Sequence, residues 1–345
     1  KYDADEYYNQ QSKSQFQSQS HTNLQPNHLS SIIHTSTSSS FSKKMSPRVQ
    51  EILYSRKGSE QIFDVCLNTL MGGEHGTEPK NWSVAIELIK AYPKIAKRPG
   101  EWGKYLLHFA CSNQAPVDVV IVLLDVYPKA LQKKSTWRNG GWLPIHCAAA
   151  CDAPPKVMEA LIHANNKCTM STDDKGRLPL HLACCHQAST DLVVMLIRAH
   201  SHGPREDDLE GKLPVHLALE CLSPIWETIR KMLSSNSEKS CKIKHADGTR
   251  ALHWAVRRRA PVDIVNTILE AYPRAVRKSD LRGRSALHWS CAYGERAEPP
   301  NLETINLLLQ KNPHAAREVD ENGKYPLFLA YEYGDRLDEI VKDTL

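Results

Sequence analysis

No long hydrophobic run occurs in the 345-residue sequence. The longest uninterrupted aliphatic stretch, Val119 to Leu124, has six residues, whereas a helix needs about 18 apolar residues to span a bilayer. We therefore expect no membrane-spanning segment and no membrane partner. Hydrophobic residues nevertheless make up 41% of the chain and charged residues 24%, a composition typical of a globular protein with a sizeable core.

The sequence also lacks the short motifs of common enzyme sites. Its 16 glycines form neither a dinucleotide-binding GxGxxG nor a phosphate-binding GxxxxGKS/T, and no GxSxG or HExxH is present. CxxC pairs are absent too, although there are ten cysteines, so no zinc ligand set with the usual spacing forms. We predict that the chain is not an enzyme and binds no metal or cofactor, and that its thiols stay reduced in the cytoplasm or nucleus.

Residues 1–47 differ in composition from the rest of the chain. They contain twelve serines and six glutamines, and no acidic residue lies between Glu6 and Glu51. Apolar residues in this segment follow neither the helical nor the strand period, so no face of it can be buried. We predict a disordered Ser/Gln-rich tail. Its role is open between a solvated leader, a phosphorylated or targeting segment, and an extension upstream of a start at Met45.

A short phrase, apolar-His-apolar-Ala, recurs at a nearly constant interval. Its histidines are separated by 38, 35, 35, 37 and 35 residues, and a further copy 40 residues on has Phe328 in place of the histidine. Such a period is the signature of a repeat protein, in which each unit packs only on its neighbours. The six repeated histidines are His108, His146, His181, His216, His253 and His288.

Each unit shows the same order of turn, helix, loop and helix. An Asp-x-x-Gly turn precedes the phrase in four units, and a proline stands at the start of the first helix, again in four. The loop commonly carries Ala-Pro. The second helix, as in Val117–Val126 or Val262–Ala271, ends at Tyr-Pro, because proline disfavours helical geometry in the residue before it. This order predicts an all-α chain of stacked helix pairs.

The phrase and the order of elements resemble the ankyrin repeat, whose motif is Thr-Pro-Leu-His-x-Ala after an Asp-x-x-Gly turn. The closest copy is Leu178-Pro-Leu-His181-Leu-Ala-Cys. Leucine replaces the capping threonine here, and a lost cap costs about 1 kcal/mol, so we expect softer repeats. The resemblance implies an ankyrin-like helix-turn-helix solenoid of seven to eight repeats over 48–345, behind the tail. The approximate repeats are 59–97, 98–134, 135–170, 171–206, 207–244, 245–278, 279–318 and 319–345.

The repeated histidines have a structural role in this family, where they hydrogen-bond the turns of adjacent repeats. The resemblance implies the same inter-repeat role for the six histidines here. A shared metal ion is excluded by geometry, because stacked helices lie about 10 Å apart and zinc needs nitrogen ligands at about 2.0–2.1 Å. On the helical wheel, Cys111, Cys184 and Cys291 share one column of the core stripe, and we expect them to be inert packed thiols.

The wheel places the residues one, four and five positions after each histidine opposite the core stripe. In ankyrin-like stacks this side lines the concave binding face. Two adjacent units carry tryptophan, tyrosine and arginine there, the residue types that most often dominate interface energies. The alternative is that turn tips shield the tryptophans. The predicted partner-binding residues are Trp254, Arg257, Arg258, Arg259, Trp289 and Tyr293.

Charge favours the same region. Residues 250–284 contain nine basic and three acidic residues, an excess of +6 compared with +5 for the whole chain. We therefore predict an interaction scaffold or adaptor whose partner is a protein of acidic or phosphorylated character. The alternative is a nucleic acid or another phosphorylated ligand bound by the basic patch at 250–284, although the patch lacks the interleaved aromatic residues of an RNA-binding surface.

Overall fold

The computed structural model describes residues 59–71, 81–136, 140–221, 224–245, 247–292 and 301–332. Over these ranges the chain forms 15 α-helices and no β-strand, so the prediction of an all-α solenoid is confirmed. The predicted tail at 1–47 lies outside the described residues. No helix within the described part of the chain is both long and apolar enough to cross a membrane.

The helices alternate along the chain between first and second helices of successive units. The first helices are α1 (Ser59–Met71), α3 (Leu106–Ser112), α5 (Pro144–Ala150), α7 (Pro179–Cys185), α9 (Pro214–Glu220), α11 (Ala251–Arg257), α13 (Ala286–Cys291) and α15 (Pro326–Glu332). The second helices are α2 (Trp82–Ala91), α4 (Val117–Val126), α6 (Pro155–Ala164), α8 (Thr190–Ala199), α10 (Trp226–Lys242), α12 (Val262–Ala271) and α14 (Leu302–Lys311). First helices pack on first helices of the adjacent units and second on second, which produces two layers with one continuous core.

Proline marks the start of some of these helices and the end of others. It is the first residue of α5, α7, α9 and α15, where its missing N–H is harmless. At the end of α2, the Tyr92 N–H donates to the Leu88 carbonyl oxygen at 2.9 Å, and Pro93 then starts a 3-10 helix, Pro93–Lys97. The second helices α6 and α8 end after ten residues without a proline at this position, whereas α10 has 17 residues.

The cysteines of the predicted core column lie in the core. Cys111, Cys184 and Cys291 are 0%, 2% and 0% exposed, and burial raises the pKa of the Cys291 thiol to about 12. The thiolate is the reactive form of cysteine. We therefore expect iodoacetamide at neutral pH to leave all three unlabelled in the native protein and to label all three in denaturant, as measured by peptide mass spectrometry. Rapid native labelling at these positions would show that the core opens.

Candidate functional site

An aspartate shapes the turn before most first helices. Asp173 Oδ1 accepts the backbone N–H groups of Lys175 at 2.9 Å and Arg177 at 2.8 Å, and Asp208, Asp280 and Asp320 accept the equivalent pairs. Backbone bonds then join one turn to the next, as from the Leu281 N–H to the Asp247 carbonyl oxygen at 2.9 Å. The turns thus form a linked row that positions the side chains beside it.

The repeated histidines lie between their own helix start and the following unit. Nδ1 of His146 accepts the Leu143 N–H at 3.1 Å, and Nε2 donates to the Arg177 carbonyl oxygen at 3.2 Å. This pairing requires the neutral Nε2–H tautomer. Because Nδ1 binds the N–H of the residue at the helix start, the imidazole satisfies one donor there even where leucine replaces the capping threonine.

The other repeated histidines show the same arrangement. In all six, Nδ1 accepts the N–H of the residue three positions earlier. In His108, His146, His181 and His288, Nε2 also contacts a carbonyl oxygen of the next unit, and in His253 it contacts the Lys278 carbonyl oxygen at the end of its own unit. Within the described residues, no group of three His, Cys, Asp or Glu side chains is arranged to hold a metal ion. The geometry of these histidines is that of structural links.

Two tryptophans and three arginines stack alternately across two units. The guanidinium carbon of Arg257 lies 5.0 Å from the ring centroid of Trp254 and 5.1 Å from that of Trp289. Arg258 lies 5.6 Å from the Trp254 ring, and Arg284 lies 5.7 Å from the Trp289 ring. Such cation–π contacts contribute about 0.5–1 kcal/mol each near the surface. We call these five residues the arginine–tryptophan ladder.

The turns hold the two indole rings of the ladder. Trp254 Nε1 donates to Thr249 Oγ1 at 3.1 Å, and Trp289 Nε1 donates to Asp280 Oδ2 at 3.1 Å. Both tryptophans are half-buried and pack against the core. Turn contacts therefore shield part of each ring, as one sequence interpretation proposed, while the rest of each ring stays accessible to solvent.

Arg258 and Arg259 reach neighbouring units in opposite directions. Arg258 Nη2 donates to the Glu220 carbonyl oxygen at 2.6 Å in the preceding unit. Arg259 Nη1 and Nη2 donate to the carbonyl oxygens of Ser290, at 2.6 Å, and Ala292, at 3.1 Å, in the following unit. Carbonyl groups at helix C-termini lack intrahelical partners. The structure thus uses these two arginines to clamp adjacent units around the ladder. Tyr293, the sixth predicted site residue, lies outside the described residues.

Arg259 also belongs to a row of residues that sequence reasoning missed. Gln114, Asp152, Gln187 and Arg259 precede the second helices and have φ of +57°, +49°, +56° and +57°, a region that favours glycine. Their side chains offset this cost by bonding the next unit: Gln114 Nε2 donates to the Cys151 carbonyl oxygen at 3.2 Å. The signal in the sequence was a polar side chain directly before each Ala-Pro or Ala-Ser.

The three acidic residues of the 250–284 region all have partners, and Asp280 contacts the ladder itself through the Arg284 N–H and Trp289 Nε1. Asp263 pairs with Arg230 at 2.7 Å, Glu270 accepts from Asn266 at 2.7 Å, and Asp280 is held in its turn. Arg284, at one end of the ladder, has its Nε 3.5 Å from Asp320 Oδ2 in the next unit.

Comparisons with known proteins agree with this geometry. Residues 252–342 match the family model of ankyrin repeats in three copies. Solved structures of the same fold include the ankyrin repeat domain of Bcl-3, a member of the IkappaB protein family, at 22% identity and a TM-score of 0.51, covering 71% of this chain and 99% of that one. The human ASB11 ankyrin repeat domain is 18% identical with a TM-score of 0.53, covering 70% and 96%. No curated protein matches the chain significantly. Ankyrin repeats generally mediate protein–protein interaction.

Proposed function

We propose that this chain of ankyrin repeats is a non-enzymatic scaffold or adaptor that binds a protein partner through the arginine–tryptophan ladder, on the concave face of the solenoid. The observation that carries the proposal is the position of Arg257 between the indole rings of two adjacent units. Trp and Arg are the residues most often found at the energetic centre of protein interfaces. Repeat packing brings them together here from separate helices.

The chemistry of the ladder suits an acidic or phosphorylated side chain. A guanidinium is planar, and its N–H donors match the oxygens of a carboxylate or phosphate in a bidentate geometry. Stacking between two rings restricts the Arg257 side chain before the partner arrives, so less conformational entropy is lost on binding. The excess of six positive charges over 250–284 supports the same partner. All ten cysteines lie in the described residues and none forms a disulfide, which fits a cytoplasmic or nuclear location.

Nucleic acid is the second candidate ligand, because the region is strongly basic. Proteins that bind single strands stack bases on aromatic rings. In the ladder, each indole ring is already in contact with two guanidinium groups. A base could stack there only by displacing an arginine, and the arrangement therefore favours a protein partner.

Replacing Arg257 by glutamine tests the proposal. We expect Arg257→Gln to weaken binding to acidic or phosphorylated peptides by more than about 1 kcal/mol and to lower the free energy of unfolding by about 1–2 kcal/mol, because it removes two cation–π contacts. Fluorescence polarisation against a peptide array measures the first quantity and urea denaturation the second. Binding by the unmodified chain should also weaken as salt is added, since salt screens surface charge.

Arg277 provides the matched control. It is an exposed arginine of the same unit, outside the ladder, and Arg277→Gln removes the same charge. Equal losses of affinity in the two variants would show that net charge, and not the ladder, drives binding. Tighter binding of single-stranded nucleic acid than of any peptide would favour the second candidate.

A further inference from the structure

A second charged surface lies on the 3-10 helices that follow the second helices. Three consecutive units carry Pro93–Lys97, Pro128–Gln132 and Asn166–Met170. The third and fourth residues of each are buried, which anchors each helix in the core. Because a 3-10 helix has three residues per turn, its second and fifth residues share one side. That side faces outward in each of these three units.

Lysine occupies the outward second position in all three of these helices. Lys94, Lys129 and Lys167 are exposed, as are Lys97 and Lys133 beside them. None of the five takes part in an ion pair between described residues. We call these five residues the lysine edge.

The sequence segments that carry the lysine edge contain no acidic residue, and the row of basic residues ends at a definite unit. The segments 93–99, 128–134 and 166–172 contain seven basic residues (three, three and one) and no acidic residue. In the next unit, the 3-10 helix Gly203–Arg205 is followed directly by Glu206 and Asp207, and Asp207 Oδ1 lies 3.9 Å from Lys239 Nζ. The basic row thus runs over three units and stops where the charge changes sign.

The spacing of the row matches an extended polypeptide. Equivalent residues of stacked units lie about 10 Å apart, as packed helices do, and a polyproline II chain advances about 3.1 Å per residue with three residues per turn, so that every third side chain lies on the same side. Carboxylates at every third position of such a chain would therefore meet Lys94, Lys129 and Lys167 in register. The charges of an anionic lipid surface have no fixed spacing that could match the lysines. A nucleic acid duplex presents its phosphates along a helical path instead of a line.

We propose that the lysine edge is a second docking surface, which binds an extended acidic segment of a partner protein with an acidic residue at every third position. The lysine edge lies in units 59–97, 98–134 and 135–170, and the arginine–tryptophan ladder lies in units 245–278 and 279–318. The two surfaces share no residue. The chain can therefore hold two acidic segments at once, which is the arrangement that a bridging scaffold requires.

The test uses the full chain and a fluorescein-labelled peptide with glutamate at every third position of a Gly/Ser background. A second peptide has the same composition with its glutamates contiguous. We expect the spaced peptide to bind more tightly than the contiguous one, and the triple variant Lys94→Glu, Lys129→Glu, Lys167→Glu to weaken its binding by about tenfold or more. All affinities are measured in the Arg257→Gln background, which removes the contribution of the ladder to binding of acidic peptides, so failure here is distinguishable from failure of the ladder.

Three exposed lysines on second helices supply the matched control. The variant Lys90→Glu, Lys156→Glu, Lys311→Glu changes net charge by the same amount away from the lysine edge and should retain binding of the spaced peptide. The proposal is overturned if the two triple variants bind equally, or if the contiguous peptide binds as tightly as the spaced one. Tighter binding of duplex DNA or of phosphatidylserine vesicles would also overturn it. Circular dichroism of each variant confirms that the fold is retained.

Discussion

Acidification from pH 7 to pH 4.5 should lower the free energy of unfolding by about 2 kcal/mol for each of three buried repeat histidines. Burial lowers the pKa of His108, His146 and His253 from the ordinary 6.5 to about 4. Between these two values the unfolded chain binds more protons than the folded chain. The stabilisation is therefore complete above pH 6.5 and is lost as the pH falls towards 4.

Urea denaturation at a series of pH values measures this effect. The informative variant is His146→Gln, which removes one titrating group as well as two hydrogen bonds. The total stability of this variant should fall at every pH. The diagnostic quantity is the slope of the unfolding free energy against pH, which should decrease by the contribution of one histidine. The exposed His163 is the control, and His163→Gln should keep the slope of the unmodified chain. A slope that is the same in both variants would contradict the assignment to buried histidines.

Replacing Gly248 by alanine should destabilise the fold by about 3 kcal/mol or more. Gly248 has φ of +86°, and an added Cβ would lie 2.5 Å from the backbone nitrogen of Leu281 and 2.8 Å from the carbonyl carbon of Asp280. These atoms belong to the next turn and cannot rotate away. The change thus adds a steric clash between units to the cost of the left-handed backbone.

The variant Gly211→Ala separates the cost of the left-handed backbone from the cost of the steric clash. Gly211 occupies the same place in another turn with φ of +76°, and an added Cβ would have no atom within 4 Å. Gly211→Ala should therefore cost only about 1 kcal/mol, which urea denaturation at neutral pH can resolve from the larger value. Equal losses of stability in the two variants would mean that the turn of Gly248 does not lie against the turn of Leu281. Gly248→Ala should also weaken peptide binding at the ladder, since the turns around it hold the nitrogens of Trp254 and Trp289.

Much of the fold follows from local sequence. The second helices α4 and α12 begin and end at the residues expected from Ala-Pro and Tyr-Pro, and four first helices begin at the expected proline. Proline and Asp-x-x-Gly act through the backbone of a few adjacent residues, so their effect can be predicted without knowing the neighbours. The length of α10 was not predicted, because the second helices that lack a following proline differ in length: α6 and α8 have ten residues and α10 has 17.

The candidate site was predictable only in part. Residue type and helical phase indicated the face that holds Trp254, Arg257 and Trp289, but not that Arg257 stacks between both rings. Nor did they distinguish Arg257 from Arg258 and Arg259, whose donors bind carbonyl oxygens of units on either side. Three consecutive arginines are alike in charge, and their functions differ because each points to a different neighbour.

The sequence by itself determined the repeat, its period, the helical class and the column of buried thiols, because periodic burial and turn chemistry are encoded in residues close along the chain. Only the tertiary structure decided which side chains meet across units: the arginine–tryptophan ladder and the clamps of Arg258 and Arg259. These contacts join residues about one repeat apart in sequence. Their geometry depends on how closely the units stack, which is set by packing of the whole core and not by any local pattern.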